Sequence, residues 1–330
     1  MGKNFLVTGG SGFIGGNLTR ALVEGGHRVK AFFKPGDNLK PLEGLDVELI
    51  EGDICDISRL SRAMKGCEGV FHTAGVVSFR KSDRAVQYRV NVEGVRAVVA
   101  ACKKAGVKRL VHTSTINTLG IPYPEGSIGD EETEFNWYAL GVQYAITKKL
   151  GEDAALKANG GDLEVVCVNP GTVFGGGDVN FNAGEYIRAS AKGLLLFYPE
   201  GGTNCVHISA VVAGHISAFE KGRAGERYIL GGENLSYREI FETIADVLGT
   251  RKPILKAPYL LTAAISYLAE ISSEKEGGKT KLALEAAKAG RYKLFYSSAK
   301  AERELGLPAI PFRAAVEDAV EWYRKEGMLR

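Results

Sequence analysis

The sequence predicts an α/β protein, a doubly wound parallel sheet followed by a smaller, mixed C-terminal lobe. Three observations carry that expectation. Residues 3–8 read as a short apolar strand, residues 13–24 carry apolar side chains at helical spacing, and Gly9, Gly12 and Gly15 occupy the turn between them. Short β-branched or apolar runs at 29–33, 47–51, 69–73, 110–114 and 164–169 then alternate with helical stretches such as 58–65 and 91–105, the order that builds a parallel sheet covered on both faces. Past Pro170-Gly171 the alternation weakens, and Gly175-Gly176-Gly177-Asp178 reads as a turn into a second lobe. The expected division is a first unit over residues 1–175 and a substrate-facing lobe over 176–330, with some segments after 200 returning to the first.

The glycine turn has a physical reason for each of its members. Gly9 takes the backbone angles of a tight turn, Gly12 leaves room for a pyrophosphate, and Gly15 lets the helix pack closely on the strand. First-turn amides, those of Phe13 and Ile14 included, then point at the anion with the positive end of the helix dipole behind them. Strand, turn and helix in this order make a Rossmann-type dinucleotide site. Its ligand lies at the carboxyl ends of the strands, where the polar segments Thr73-Ala74-Gly75, Ser114-Thr115 and Asn169-Pro170 all fall. Cofactor choice is read after the second strand. An acid about 20 residues past the glycines would bind the ribose 2′-hydroxyl of NAD. Phe33 stands there instead, and the cation that follows it, Lys34, favours the extra phosphate of NADP. Asp37 is the alternative contact to the ribose. Asp53, followed by Ile54, is positioned to accept from the adenine amino group.

Composition narrows the function classes. With 330 residues, 45% hydrophobic and 25% charged, the chain can bury a large core. A net charge of +3 over mixed signs gives no basic stripe for nucleic acid. Met1 leads directly into the first strand with no export pattern, so a cytoplasmic protein is expected. The longest weakly charged apolar stretch, 257–269, is shorter than the roughly 20 residues of a membrane span and reads as a buried helix. Cys55, Cys67, Cys102, Cys167 and Cys205 lack the spacing of a zinc site or disulfide framework, fit small core residues, and leave no metal expected.

Two Tyr-x-x-x-Lys spacings occur, Tyr144 to Lys148 and Tyr296 to Lys300. Context separates them. Tyr144 follows a strand ending in Thr113-Ser114-Thr115, and a helix over 139–157 would project Tyr144 and Lys148 from one face. The second pair lies far past the sheet, where Ser297 or Ser298 looks like a helix cap. Near a nicotinamide the first pair makes chemical sense: a phenol of ordinary pKa about 10 is a poor base, and a neighbouring cation favours its ionised form. Lys148 supplies that cation and holds ribose hydroxyls, Tyr144 moves the proton, Thr115 aligns the substrate oxygen, and Ser114 lines the same wall. His207 reads as a structural histidine.

On the residues Thr8 to Gly15, Gly52-Asp53, His72 to Gly75, Asn91, Thr115, Tyr144, Lys148 and Asn169-Pro170, the chain resembles the extended short-chain dehydrogenase/reductases. Within them it is most similar to dihydroflavonol 4-reductase-like proteins and hopanoid-associated sugar epimerases, through Val206-His207, Ala213 to His215, 226–234 and 296–306. The resemblance implies a Rossmann domain with a smaller C-terminal lobe, catalytic Thr115, Tyr144 and Lys148, and a homodimer built on helices. It also shows departures. Where nucleotide-sugar members carry an arginine and acids for the diphosphate, residues 203–210 have neither; where dehydratases carry acids after the threonine, Ile116 and Asn117 stand. The expected activity is a reductase or dehydrogenase that uses NADP, or NAD, on a small or medium carbonyl or alcohol. The largely apolar segments 76–79, 135–140, 173–174 and 194–198 would wall the substrate or simply be core, and Asn180 and Asn182 would reach its hydroxyl or shape a turn. A sugar epimerase and a non-catalytic NADP-sensing regulator are the alternative readings.

Overall fold

The computed structural model describes residues 2–275 and 283–329. Its strands in chain order are β1 Asn4–Thr8, β2 Arg28–Phe33, β3 Glu48–Glu51, β4 Gly69–His72, β5 Arg109–Thr113, β6 Glu164–Pro170, β7 Thr172–Phe174, β8 Phe197–Tyr198, β9 Gly202–His207, β10 Arg227–Leu230, β11 Glu233–Ser236, β12 Leu255–Lys256 and β13 Lys293–Leu294. The helices are α1 Phe13–Glu24, α2 Ile57–Ala63, α3 Arg84–Tyr88, α4 Val95–Ala105, α5 Gln143–Leu156, α6 Gly184–Ala191, α7 Ile208–Lys221, α8 Tyr237–Leu248, α9 Tyr259–Lys275, α10 Leu284–Ala289, α11 Ala299–Leu305 and α12 Phe312–Lys325.

The first six strands and β10 form one parallel sheet in the order β10-β6-β5-β4-β1-β2-β3. This is the doubly wound sheet expected from the alternation. The inner strands read as near-continuous apolar runs because both of their faces are covered, whereas edge strand β3 is largely exposed. Phe5, Val7, Phe71, Val111, Val166 and Val168 pack against Leu18 and Leu22 of α1 and Val211 and Ala218 of α7. Leu6, Val70, Leu110, Val165 and Cys167 face Leu60 of α2, Val98 of α4 and Ala155 of α5. Strand order reverses beside β1, whose Thr8 is in register with His72 of β4, and the crevice of such a sheet opens there. Away from this sheet, β9 pairs with β11, β13 and β7, and β8 pairs with β12.

Three elements depart from the sequence expectation. The helix expected over 91–105 begins earlier: α3 runs through a π-helical turn, Arg89–Gly94, into α4. The helix around Tyr144 starts at Gln143 rather than 139, because a 3-10 turn at Trp137–Leu140 ends in left-handed Gly141. The stretch 257–269 does form a helix, but it is not buried. Leu260 is 80% exposed and Leu268 65%, with Leu261, Ile265 and Tyr267 also open. A helix that is apolar all round gives no periodic sign of which face packs, and of these residues only Ser266 is closed off. No described helix is long and apolar enough to cross a membrane.

Candidate active site

The glycine turn is built by close approach. At Gly9, φ is +70° and a Cβ would lie 2.8 Å from the Ala74 backbone; at Gly15 it would lie 2.1 Å from the Gly9 carbonyl oxygen and 2.6 Å from Thr73 Oγ1. Only hydrogen fits at either position. Thr73 completes the seam by donating to the Thr8 carbonyl at 2.8 Å. Gly12 caps α1 with no side-chain bond, and the first turn carries no acid. The amides of Phe13 and Ile14 therefore face no competing anion from the helix itself, and they fit a bound pyrophosphate.

Further along the sheet edge, Asp37 accepts from Ser11 Oγ at 2.7 Å and pairs with Lys34 at 3.7 Å, whose side chain is 74% exposed. Asp53 accepts from the Cys55 amide at 2.9 Å and from the Arg89 guanidinium. The Cys55 amide is the main reason its carboxyl is held below the ordinary range. Ile54 packs beneath it, close to Gly94. Four strand spacings separate β3 from β5, about 19 Å, a gap only an extended ligand bridges.

At the other end, α5 presents Tyr144, Lys148 and Glu152 on one stripe, four residues apart. They meet the segment after β5. The Tyr144 phenol faces the Thr115 hydroxyl, and Lys148 Nζ donates to the Thr113 carbonyl at 2.8 Å. A Cβ at Gly75 would stand 3.8 Å from that ammonium and 3.5 Å from Asn91 Oδ1. Asn169, at the end of β6, donates to the Thr115 carbonyl at 3.1 Å, and Pro170 beside it is in register with Leu230 of β10. Ser114 is less open than expected: its hydroxyl turns inward to Thr118 at 3.3 Å.

Burial dominates the electrostatics. It pushes the Tyr144 phenol up to about 12, with the Thr115 hydroxyl pulling the other way. It brings the Lys148 ammonium down to about 8, opposed by the charge of Glu152. The sequence reading expected Lys148 together with an oxidised nicotinamide to favour the phenolate; in the protein alone, dehydration of the ring sets the balance. Behind Lys148 lie three closed histidines. His72 bonds Thr8 Oγ1 at 2.7 Å and stacks 5.1 Å from His112, while His215 bonds Thr113 Oγ1 at 2.8 Å. Burial lowers His72 to about 3, His215 to about 4, and His112 well below its usual value.

The remaining sequence candidates divide cleanly. His207 caps α7 by accepting from the Ser209 amide at 3.0 Å. Tyr296 donates to the Gly120 carbonyl at 2.8 Å and Lys300 to Glu226 at 2.7 Å, so the second tyrosine-lysine pair ties strands and helices together. Asn182 bonds Asp178 at 2.8 Å inside the glycine-rich turn. Phe135, Trp137, Leu140 and Phe79 join one apolar cluster with Ile116 and Leu119, and Phe174 is packed in the core with Phe312. Phe79 also meets the Tyr144 ring edge-on at 5.6 Å. Four of the cysteines are buried, whereas Cys55 is partly open beside Asp53. Residue types alone gave no role to Asn91, Thr118 and Glu152. Asn91 sits in the π-helical turn and clamps Val76 through both its amide and carbonyl, at 2.8 and 3.0 Å. A π turn leaves no periodic trace in sequence, although it often marks a functional place.

Known proteins share the sequence and the fold. The 3-beta hydroxysteroid dehydrogenase/isomerase family description matches residues 6–222. A Synechocystis sp. relative whose name refers to dihydroflavonol 4-reductase is 32% identical over 335 residues, covering 100% of this chain and 97% of its own. Sterol demethylase protein B of Methylococcus capsulatus is 34% identical over 334 residues, covering 98% and 99%. The crystal structure of gox2253 superposes with a TM-score of 0.86 at 32% identity, covering 99% and 100%.

Proposed function

The chain belongs to the 3-beta hydroxysteroid dehydrogenase/isomerase family, NAD(P)-dependent oxidoreductases of the extended short-chain type, and on that premise we propose that it reduces an apolar carbonyl compound or oxidises the matching alcohol. One observation carries the reading: a phenol, an ammonium and a hydroxyl converge on the segment after β5, at the mouth of a glycine turn that fits a pyrophosphate. When bound, the nicotinamide supplies or accepts the hydride. Tyr144, protonated at neutral pH, donates its proton to the carbonyl oxygen. Among the described residues Lys148 has one protein acceptor, the Thr113 carbonyl, which leaves donors for ribose hydroxyls. Thr115 holds the substrate oxygen in line. The apolar edge of Phe79 beside Tyr144 supports an apolar substrate, as do relatives named for sterol and farnesyl-quinoline chemistry.

For the cofactor we propose NADP, held by Lys34 after β2. A second reading, NAD, has Asp37 in its favour, since its carboxylate already reaches Ser11 in the glycine turn. NADPH consumption against a panel of apolar ketones and aldehydes tests the activity. Tyr144→Phe should lower kcat by about 10²- to 10⁴-fold with cofactor binding retained. Undiminished turnover in that variant would remove the proposal.

A further inference from the structure

Beneath the Thr115 segment lies an acid that the chemistry above does not use. Glu152 is fully buried, and a carboxylate without solvent must be held by donors. Two elements supply them, both at Oε2: the Thr118 hydroxyl at 2.8 Å and the Asn169 amide at 2.6 Å. Oε1 accepts no hydrogen bond among the described residues and faces the Arg227 guanidinium as an ion pair at 3.3 Å.

Both of those donors lead to the threonine that aligns the substrate. Asn169 Nδ2 has two hydrogens and three acceptors: Glu152 takes one at 2.6 Å, and the other is shared between Thr118 Oγ1 at 2.9 Å and the Thr115 carbonyl at 3.1 Å. Thr118 has a single hydroxyl hydrogen and two acceptors at 2.8 Å, Glu152 and the Thr115 carbonyl. A carboxylate takes that hydrogen and leaves the carbonyl to Asn169. Without the carboxylate, Thr118 swings to the Thr115 carbonyl and Asn169 loses its anchor, so the peptide that aims Thr115 is held by different groups.

We propose that Glu152 is a positioning residue of the Thr115, Tyr144 and Lys148 site, fixing the Thr115 peptide through Thr118 and Asn169 and presenting its charge to Lys148 along α5. The inference rests on the roles given to those three residues under the proposed function. It follows from one helix face holding one loop at two points, Lys148 at the Thr113 carbonyl and Glu152 at Thr118, with Tyr144 of the same face turned to the Thr115 hydroxyl. A buried acid paired with arginine is weak support for stability, because desolvation offsets most of the attraction. Its contribution here is directional. The other titratable groups around Lys148 are His72 on β4, His112 on β5, Cys167 on β6 and Tyr144 on α5 itself. Burial holds both histidines neutral and raises the thiol and the phenol, so Glu152 is the acid whose charge reaches the ammonium.

The test compares Glu152→Gln, Thr118→Val and their double variant with the native enzyme and Tyr144→Phe, using NADPH and the carbonyl substrate found in the panel above. In Glu152→Gln the cofactor Kd, read by nicotinamide fluorescence, should stay within about twofold while kcat falls about tenfold. The alkaline limb of its kcat profile should move to lower pH, because Lys148 loses the charge that helps it keep its proton. Thr118→Val should lower kcat without moving that limb, and the double variant should lose no more than Glu152→Gln alone. Native kcat and an unmoved limb in Glu152→Gln, beside an inactive Tyr144→Phe, overturn the inference and leave the site reading standing. Full turnover in Tyr144→Phe overturns the site reading itself. Should Glu152→Gln fail to fold, native kcat in the near-isosteric Thr118→Val is the overturning result.

Discussion

Tyr144, raised to about 12 by burial, holds its proton at neutral pH and gives it up only when a neighbouring charge changes the balance. That suits a proton donor for carbonyl reduction and makes the reverse reaction depend on the positive charge of an oxidised nicotinamide nearby. The tyrosine, its lysine and the threonine were legible in the sequence because their chemistry is unusual and their spacing is helical. Glu152 and Thr118 were not, because an acid and a threonine in helical or loop segments look like ordinary surface residues until three-dimensional packing buries them; Asn91 entered through the family resemblance alone, without its clamp on Val76. At the cofactor's far end, Lys34 is mostly exposed and already paired with Asp37. An exposed pair of this kind contributes little, about 0–1 kcal/mol, so a 2′-phosphate would compete for the lysine at small cost. Lys34→Ala should therefore raise the Kd for NADPH several-fold, by about 1 kcal/mol, and leave that for NADH nearly unchanged. Equal losses for both nucleotides, measured by fluorescence titration, would favour the Asp37 reading.

Among the elements, α1 and the strands around it followed the apolar pattern closely, since both faces of the sheet are covered and the helix has one apolar stripe. Gly15 is where the two kinds of element touch. A methyl group there would press on the Gly9 carbonyl and the Thr73 hydroxyl at once, and neither belongs to a freely moving side-chain end. Gly15→Ala should lower stability by about 1–3 kcal/mol and weaken nucleotide binding further, as seen in urea midpoints and NADPH titration. A native midpoint with native affinity would mean the turn can yield. The elements that sequence misplaced share a cause. The π-helical turn inserts a residue without altering apolar content, and in residues 259–269 it is leucines, not polar side chains, that face out.

For the molecule as a whole, three buried histidines place an acid limit on the fold. His72, His112 and His215 have folded pKa values below their unfolded value of about 6.5. The unfolded chain therefore takes up protons first. Stability is fully present above about pH 6.5 and is lost as pH falls, by about 1.4 kcal/mol per unit for each histidine. Urea midpoints between pH 7 and 5 should decline accordingly, and His112→Phe should remove about one proton from the slope. A midpoint independent of pH across that range would contradict the assignment.

The edge strand β10 joins the large sheet beside β6 although it comes from residues 227–230, and Arg227 at its start is the partner of Glu152. During synthesis, then, roughly two thirds of the polypeptide must leave the ribosome before β6 gains its outer neighbour and the buried acid meets its counterion. Until that moment the nascent chain presents an open β6 border, the kind of surface on which chaperones act. A message truncated between residues 222 and 226 would keep α7 on the sheet yet leave the buried acid without its arginine.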